Sequence, residues 1–178
     1  MTTDKDQGGR DSYEHSWEPD VAHRISNDIS KLNQEERDEP QQKQPYMIAL
    51  VGIPGGGKSV SALLLANLLE EQCSLSTMIM PHDGYHYPLE QLKLFPNPDD
   101  VIYRRGAPDT FDPQSLLRDL KRIRYGAANA TRDSDGNVEN IIFVPGFDHG
   151  IGDPQPEAHC FDRSRHQIVI CEGLVSFC

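Results

Sequence analysis

Apolar positions in this chain change period several times, and each change marks an element. Val21, Ile25, Ile29 and Leu32 recur at helical spacing, with Glu18 and Asp20 where a helix start favours acids. This predicts an amphipathic helix over residues 17 to about 37. Pro40 and the Gln-rich Gln41-Gln42-Lys43-Gln44-Pro45 then read as a linker, because proline supplies no amide proton and turns its predecessor away from helix. Met47-Ile48-Ala49-Leu50-Val51 is a continuous apolar run between Pro45 and Gly52, the pattern of a strand buried on both faces of a parallel sheet. Residues 60–72, rich in Ala and Leu, predict a helix, and Thr77-Met78-Ile79-Met80 a second buried strand ending at Pro81. A long irregular stretch, punctuated by Pro88, Pro96, Pro98 and Pro108, leads to a helix that starts at Asp112-Pro113 and runs to about residue 124. Two more strands come late, Ile141-Ile142-Phe143-Val144, closed by Pro145-Gly146, and Gln167-Ile168-Val169-Ile170-Cys171, closed by Glu172-Gly173. Strands alternating with helices imply right-handed crossovers and a parallel α/β sheet.

Composition narrows this picture. The 178 residues suit one domain, and 37% hydrophobic with 25% charged residues is lean enough to leave part of the chain outside the core. Residues 1–16, polar and without apolar periodicity, are expected to form a disordered acidic tail. The division is therefore a tail over 1–16, an amphipathic helix and linker over 17–45, and a globular domain over 46–178. A net charge of −11 without clustered Lys and Arg argues against nucleic acid as a partner. No run approaches the ~18 apolar residues of a membrane span, so no membrane partner and a cytoplasmic location are expected. Cys73, Cys160, Cys171 and Cys178 form no CxxC pair and read as reduced thiols.

The chemistry is concentrated in Gly52-Ile53-Pro54-Gly55-Gly56-Gly57-Lys58-Ser59, which fits the phosphate-binding loop pattern G-x-x-x-x-G-K-[ST]. Glycines let backbone amides curl around phosphates, and the helix that follows, entered at Val60, directs its positive end at them. Lys58 is expected to reach the terminal phosphates as a point charge, and the Ser59 hydroxyl to ligate a bridging Mg²⁺. A buried strand before the loop and a helix after it supply the context that a chance glycine-rich turn lacks.

Further segments accompany the loop in a fixed order: Pro81-His82-Asp83-Gly84-Tyr85-His86, Arg104-Arg105-Gly106-Ala107-Pro108-Asp109-Thr110-Phe111-Asp112, Pro145-Gly146-Phe147-Asp148-His149 and Ile168-Val169-Ile170-Cys171-Glu172-Gly173. With these the chain resembles the phosphoribulokinase, uridine kinase and pantothenate kinase group of P-loop kinases, especially a fungal and bacterial branch related to pantothenate kinase. The resemblance implies a P-loop NTPase fold, a three-layer α/β/α arrangement with a mainly parallel sheet. It implies ATP and Mg²⁺ as cofactors and transfer of the γ-phosphate to a hydroxyl of a small metabolite such as a nucleoside, pantothenate or a sugar. Asp83 matches the aspartate that acts as general base or as a water-mediated metal ligand, against the plainer reading of an Asp-Gly turn. Glu172 matches the strand-terminal glutamate that holds Mg²⁺ through its water shell, against a solvated strand end. Arg104 and Arg105 match a basic pair suited to substrate or phosphate, or else pair with the acidic surface. His86 either binds substrate or simply packs beside Tyr85 and Tyr87, and Asp148 and His149 match a loop on the substrate side.

Asp133-Ser134-Asp135-Gly136 resembles a GTPase or calcium loop, but no buried strand precedes it and it reads as a turn. The apolar run Leu174-Val175-Ser176-Phe177-Cys178 follows the last strand, where members of the family continue with a lid and an adenine-holding loop. Two expectations stand: a C-terminally truncated kinase that shares its parent's function, or a short form that is a weak nucleotide-binding or interaction module, or a plain ATPase.

Overall fold

The computed structural model describes residues 17–35, 44–126 and 140–173. The tail over 1–16, residues 36–43 of the expected helix end and linker, the Asp133 turn and the run after Gly173 lie outside the described residues.

Helix α1 (Glu18–Glu35) opens the described chain, followed by β1 (Tyr46–Val51), α2 (Lys58–Cys73) and β2 (Thr77–Pro81). The proline-punctuated stretch, expected to be irregular, contains two 3₁₀ turns (His82–Tyr85 and Pro108–Thr110) and two short helices, α3 (Leu89–Leu92) and α4 (Pro98–Tyr103). Pro98 at the first position of α4 has no amide to waste there, so its proline starts a helix instead of breaking one. Helix α5 (Pro113–Tyr125) follows, begun by Asp112, whose Oδ1 accepts from the backbone N–H groups of Gln114 and Ser115 at 3.1 and 3.0 Å. Then come β3 (Ile141–Asp148), β4 (Asp153–Asp162) and β5 (Ile168–Gly173).

The main sheet has the order β1-β5-β2 and is parallel throughout. Alternation along its strands sorts side chains to two faces. Ile168 and Ile170 of β5 join Ala22, Ile25 and Ile29 of α1 and Ala62, Leu65 and Leu69 of α2 in one cluster. Val169 faces the other way and meets Met78 and Met80 of β2, Leu116 and Ile123 of α5, and Ile142, Val144 and Phe161. Helices thus cover one face, while α5 and the β3–β4 pair cover the other, giving the expected three-layer α/β fold. Burying each large aliphatic side chain here contributes about 1.5–3 kcal/mol.

Two expectations are corrected. Ile141 to Val144 was expected to join the parallel sheet, yet β3 runs on through Pro145-Gly146 to Asp148 and pairs antiparallel with β4, a strand the hydrophobic pattern did not announce. Of β4 only Phe161 is buried, so β4 carries almost no apolar signal, and long-range pairing makes it a strand. β1 was expected to be buried on both faces, but Val51 is 46% exposed and Ala49 is exposed too. Among the described residues β1 is an edge strand, and Met47, Ala49 and Val51 border a cavity of about 330 Å³ shared with Cys171, Leu117 and Leu120. Burial pushes the Cys171 thiol up to about 11, so it is an inert thiol.

Candidate active site

Parallel strands finish at one edge of their sheet, and residues placed just past them share that edge. In this sheet Leu50 and Pro81 both register with Glu172, so the phosphate loop after β1, Glu172 near the end of β5 and Asp83 just after β2 are brought together from three parts of the sequence. The Gly52 N–H donates to the Gly173 carbonyl at 3.3 Å and ties the start of the loop to β5.

Gly55 and Gly57 take φ of 73° and 78°, the left-handed region that side chains rarely enter, and a Cβ at either would meet open space. The glycines are therefore required by backbone conformation, and they turn the chain directly into α2. Gly56 N–H donates to the Ile53 carbonyl at 3.2 Å, and Lys58 Nζ donates to the same carbonyl at 3.0 Å. Ser59 Oγ donates to Glu172 Oε1 at 3.2 Å. A cleft of about 490 Å³ is lined by Pro54, Gly55, Lys58 and Ser59 on the loop side, by Asp83 and Glu172 at the strand ends, and by Phe147, His149 and His159 from the β3–β4 pair.

The turn carrying Asp83 is held from several directions. His86 Nδ1 lies 2.8 Å from the Asp83 carbonyl, which can only accept, so the ring is protonated at Nδ1. The His86 ring packs 4.0 Å from Phe111 and 5.2 Å from Phe147, and its burial lowers its pKa. Tyr85 donates its hydroxyl to buried Asp119 of α5 at 3.1 Å, and burial followed by the Asp119 charge raises the phenol's pKa far above its ordinary value. Asp119 in turn accepts from Arg118 and Arg122. Gly84 leaves no space for a side chain, since a Cβ would lie 2.5 Å from the Pro145 carbonyl oxygen. At the end of β5, a Cβ on Gly173 would sit 2.3 Å from the Cβ of His82, so Gly173 lets His82 close over the strand end. Burial lowers the pKa of His82, which stacks on Phe111 with ring centroids 4.4 Å apart.

The expected site residues separate into two groups. Lys58, Ser59, Asp83, Glu172 and His149 border one cleft with Pro54 and Gly55, while Gly52, Ile53, Gly56 and Gly57 shape the loop itself. Val60 sits in the first turn of α2, 64% exposed. The second group makes contacts within the protein. Arg104 binds Asp109 through two guanidinium nitrogens at 3.0 and 3.1 Å and Asp100 at 2.9 Å, and these bonds raise its pKa. Arg105 donates to Asp153 at 2.6 Å, to the Tyr87 carbonyl and to the Gly152 carbonyl, and lies over the Phe147 ring. It clasps the β3–β4 turn to the segment after β2. Asp148 Oδ1 accepts from the backbone N–H groups of Gly150 and Ile151 at 2.7 and 3.1 Å and so caps that turn. Arg104 and Arg105 thus pair with carboxylates, and the His86 ring packs on Phe111 and Phe147 and not on its sequence neighbours Tyr85 and Tyr87.

Sequence reasoning did not find Phe147 and His159 as cleft residues, nor the Tyr85–Asp119 support. Phe147 lies inside a motif that was singled out, whereas His159 sits in a polar stretch with no pattern to mark it.

No protein-family model matches the chain. A uridine kinase-like protein of Schizosaccharomyces pombe is 36% identical over 135 residues, 74% of this chain and 51% of the relative. The ATP-dependent kinase YFH7 of Zygosaccharomyces rouxii is 32% identical over 135 residues, 68% of this chain and 36% of its own length. The chain thus spans about half the length, or less, of these curated relatives. In fold, the structure of YFH7 from Saccharomyces cerevisiae matches with a TM-score of 0.64 at 20% identity, over 86% of this chain and 73% of that one. D-glycerate 3-kinase from Cryptococcus neoformans matches with a TM-score of 0.59 at 17% identity, over 86% and 51%. Among the described residues no helix is long and apolar enough to cross a membrane. The chain is thus similar in sequence to a uridine kinase-like protein and to YFH7 over half of their length or less, and it shares its α/β fold with P-loop kinases of known structure.

Proposed function

We propose that the chain holds Mg-ATP and directs its γ-phosphate to a hydroxyl of a small metabolite, as a kinase of the uridine kinase-like group. The observation that carries this reading is the meeting of Ser59 with Glu172 in the cleft that also contains Lys58 and Asp83. The cleft's donor set fits both groups. Left-handed Gly55 and Gly57 shape a loop with room at their Cβ positions, and a hydroxyl and a carboxylate, hard oxygen ligands of the kind Mg²⁺ prefers, already touch.

In this mechanism the backbone amides after Gly52 and the N-terminus of α2 bind phosphate oxygens, and Lys58 leaves the Ile53 carbonyl to place its charge on them. Ser59 and Glu172, whose side chains already meet, would hold the metal. Bound Mg²⁺ supplies neutralisation of the charge that builds on the phosphates. Asp83 accepts a hydrogen bond from the acceptor hydroxyl and takes its proton as transfer proceeds. No side chain becomes covalently phosphorylated. Catalysis then rests on positioning and electrostatics.

ADP release measured against a panel of uridine, pantothenate, a sugar phosphate and D-glycerate tests this. Acceptor-dependent ADP that disappears in Asp83→Asn supports transfer. Equal ADP release without any acceptor replaces the kinase reading with an ATPase.

A further inference from the structure

β3 and β4 do not pair evenly. Val144 registers with His159 and Gly146 with Gln155, so one residue on β3 faces three on β4, and Pro156, Glu157 and Ala158 bulge out. Glu157, at the middle of the bulge, takes φ of 56°, the left-handed region that a residue with a side chain enters only at a cost. Bulges of this kind re-aim the side chains beside them and gather next to functional clefts. The side chain beside this one is His159.

Its ring is received by Gly146. A Cβ on Gly146 would lie 2.7 Å from His159 Nε2 and 2.8 Å from the Cβ of Ala158, so only glycine leaves space for the imidazole where it stands. His159 borders the same cleft as Lys58, Ser59, Asp83 and Glu172, beside Phe147 and His149. Among the described residues its side chain has no hydrogen bond, ion pair or aromatic ring contact. Its ring nitrogens therefore keep their hydrogen-bonding capacity for a group in the cleft.

We infer that His159 is an acceptor-binding residue: the bulge and Gly146 present its imidazole to the cleft, where it hydrogen-bonds an uncharged polar group of the acceptor while Asp83 receives the hydroxyl. This rests on the kinase reading above. Burial lowers the His159 pKa, which keeps the ring neutral and able to donate from one nitrogen and accept at the other. Arg104 and Arg105 are both engaged with carboxylates and do not border the cleft, so an uncharged acceptor group suits this wall better than an anionic one.

The test uses the full chain with ¹⁵N-labelled histidine rings, a non-hydrolysable Mg-ATP analogue, and uridine and D-glycerate as uncharged and anionic probes. Uridine is expected to shift the His159 ring resonances saturably. His159→Ala is expected to weaken uridine about tenfold, the size of one lost neutral hydrogen bond, and His159→Gln to restore part of it. Unchanged affinity for the Mg-ATP analogue checks that the variants fold. The inference is overturned if neither probe shifts the ring, if only D-glycerate does, or if His159→Ala binds uridine as tightly as the parent. Loss of analogue binding by the parent itself strikes the kinase reading instead.

Discussion

Ser59 Oγ donates to Glu172 Oε1 at 3.2 Å, joining the first residue after the loop lysine to the end of a strand 113 positions away. Neither residue has a sequence neighbour that would require the contact. It follows from β5 lying directly beside β1, and it sets a hydroxyl and a carboxylate, the hard oxygen ligands that Mg²⁺ prefers, side by side next to the loop. Ser59→Ala and Glu172→Gln should therefore weaken ATP in the presence of Mg²⁺ about 10- to 100-fold while leaving metal-free ATP binding little changed. Calorimetric titrations with and without Mg²⁺ read this directly, and an equal loss in both arms would remove the metal role.

Asp83 is predicted to act in transfer and not in holding nucleotide. Asp83→Asn should lower acceptor-dependent ADP release by ~10² to 10⁴ and leave Mg-ATP affinity as it was. An Asn variant that turns over normally would return Asp83 to the plain role of a turn residue.

Gly84 is predicted to be indispensable for packing the Asp83 turn. A methyl group there would meet the Pro145 carbonyl at 2.5 Å, a contact with backbone that cannot swing away. Gly84→Ala should cost about 1–3 kcal/mol in urea denaturation. An unchanged midpoint would mean that β3 does not press on this turn.

Much of this arrangement was readable beforehand, for reasons that are local. The loop motif, the apolar run before it and the Ala- and Leu-rich stretch after it are short-range signals, and β1, the loop and α2 form where they point. Ile25 and Ile29 likewise lie on the buried face of α1. What escaped depends on partners distant in sequence. β4 has Pro154, Pro156 and a left-handed Glu157, features that argue against a strand, and it becomes one only because β3 lies alongside it. Arg104 and Arg105 are adjacent in sequence, yet one stays at the surface with Asp100 and Asp109 and the other is drawn to Asp153 in the β3–β4 turn. Residue type announced the positive charges and said nothing of which carboxylates would claim them.

Acid should destabilise the fold in two stages. Burial lowers the pKa of His82, His86, His159 and His166 below the ordinary 6.5. His166 Nδ1 moreover accepts the Asp162 N–H at 2.9 Å, which requires that nitrogen to be unprotonated. Below 6.5 the unfolded chain binds more protons than the folded one, so stability falls as pH drops through 6.5 toward the lowered native values. A second loss follows near and below 3.8, because bonds from Arg104 hold Asp109 below that value and bonds from Ser164 do the same for Asp162. The urea midpoint should be lower at pH 5.5 than at pH 7.5, and a midpoint that is flat or higher at pH 5.5 would contradict the buried neutral histidines.

The loop over residues 52–59 is predicted to grip the phosphates of ATP, with Lys58 as its charge. A calorimetric titration of Mg-ATP into the parent chain and Lys58→Ala tests it most directly. Saturable binding by the parent, weakened at least about tenfold by loss of the lysine's charge-assisted bonds, is the predicted result. Absence of binding by the parent, or equal affinity in the two proteins, would contradict it.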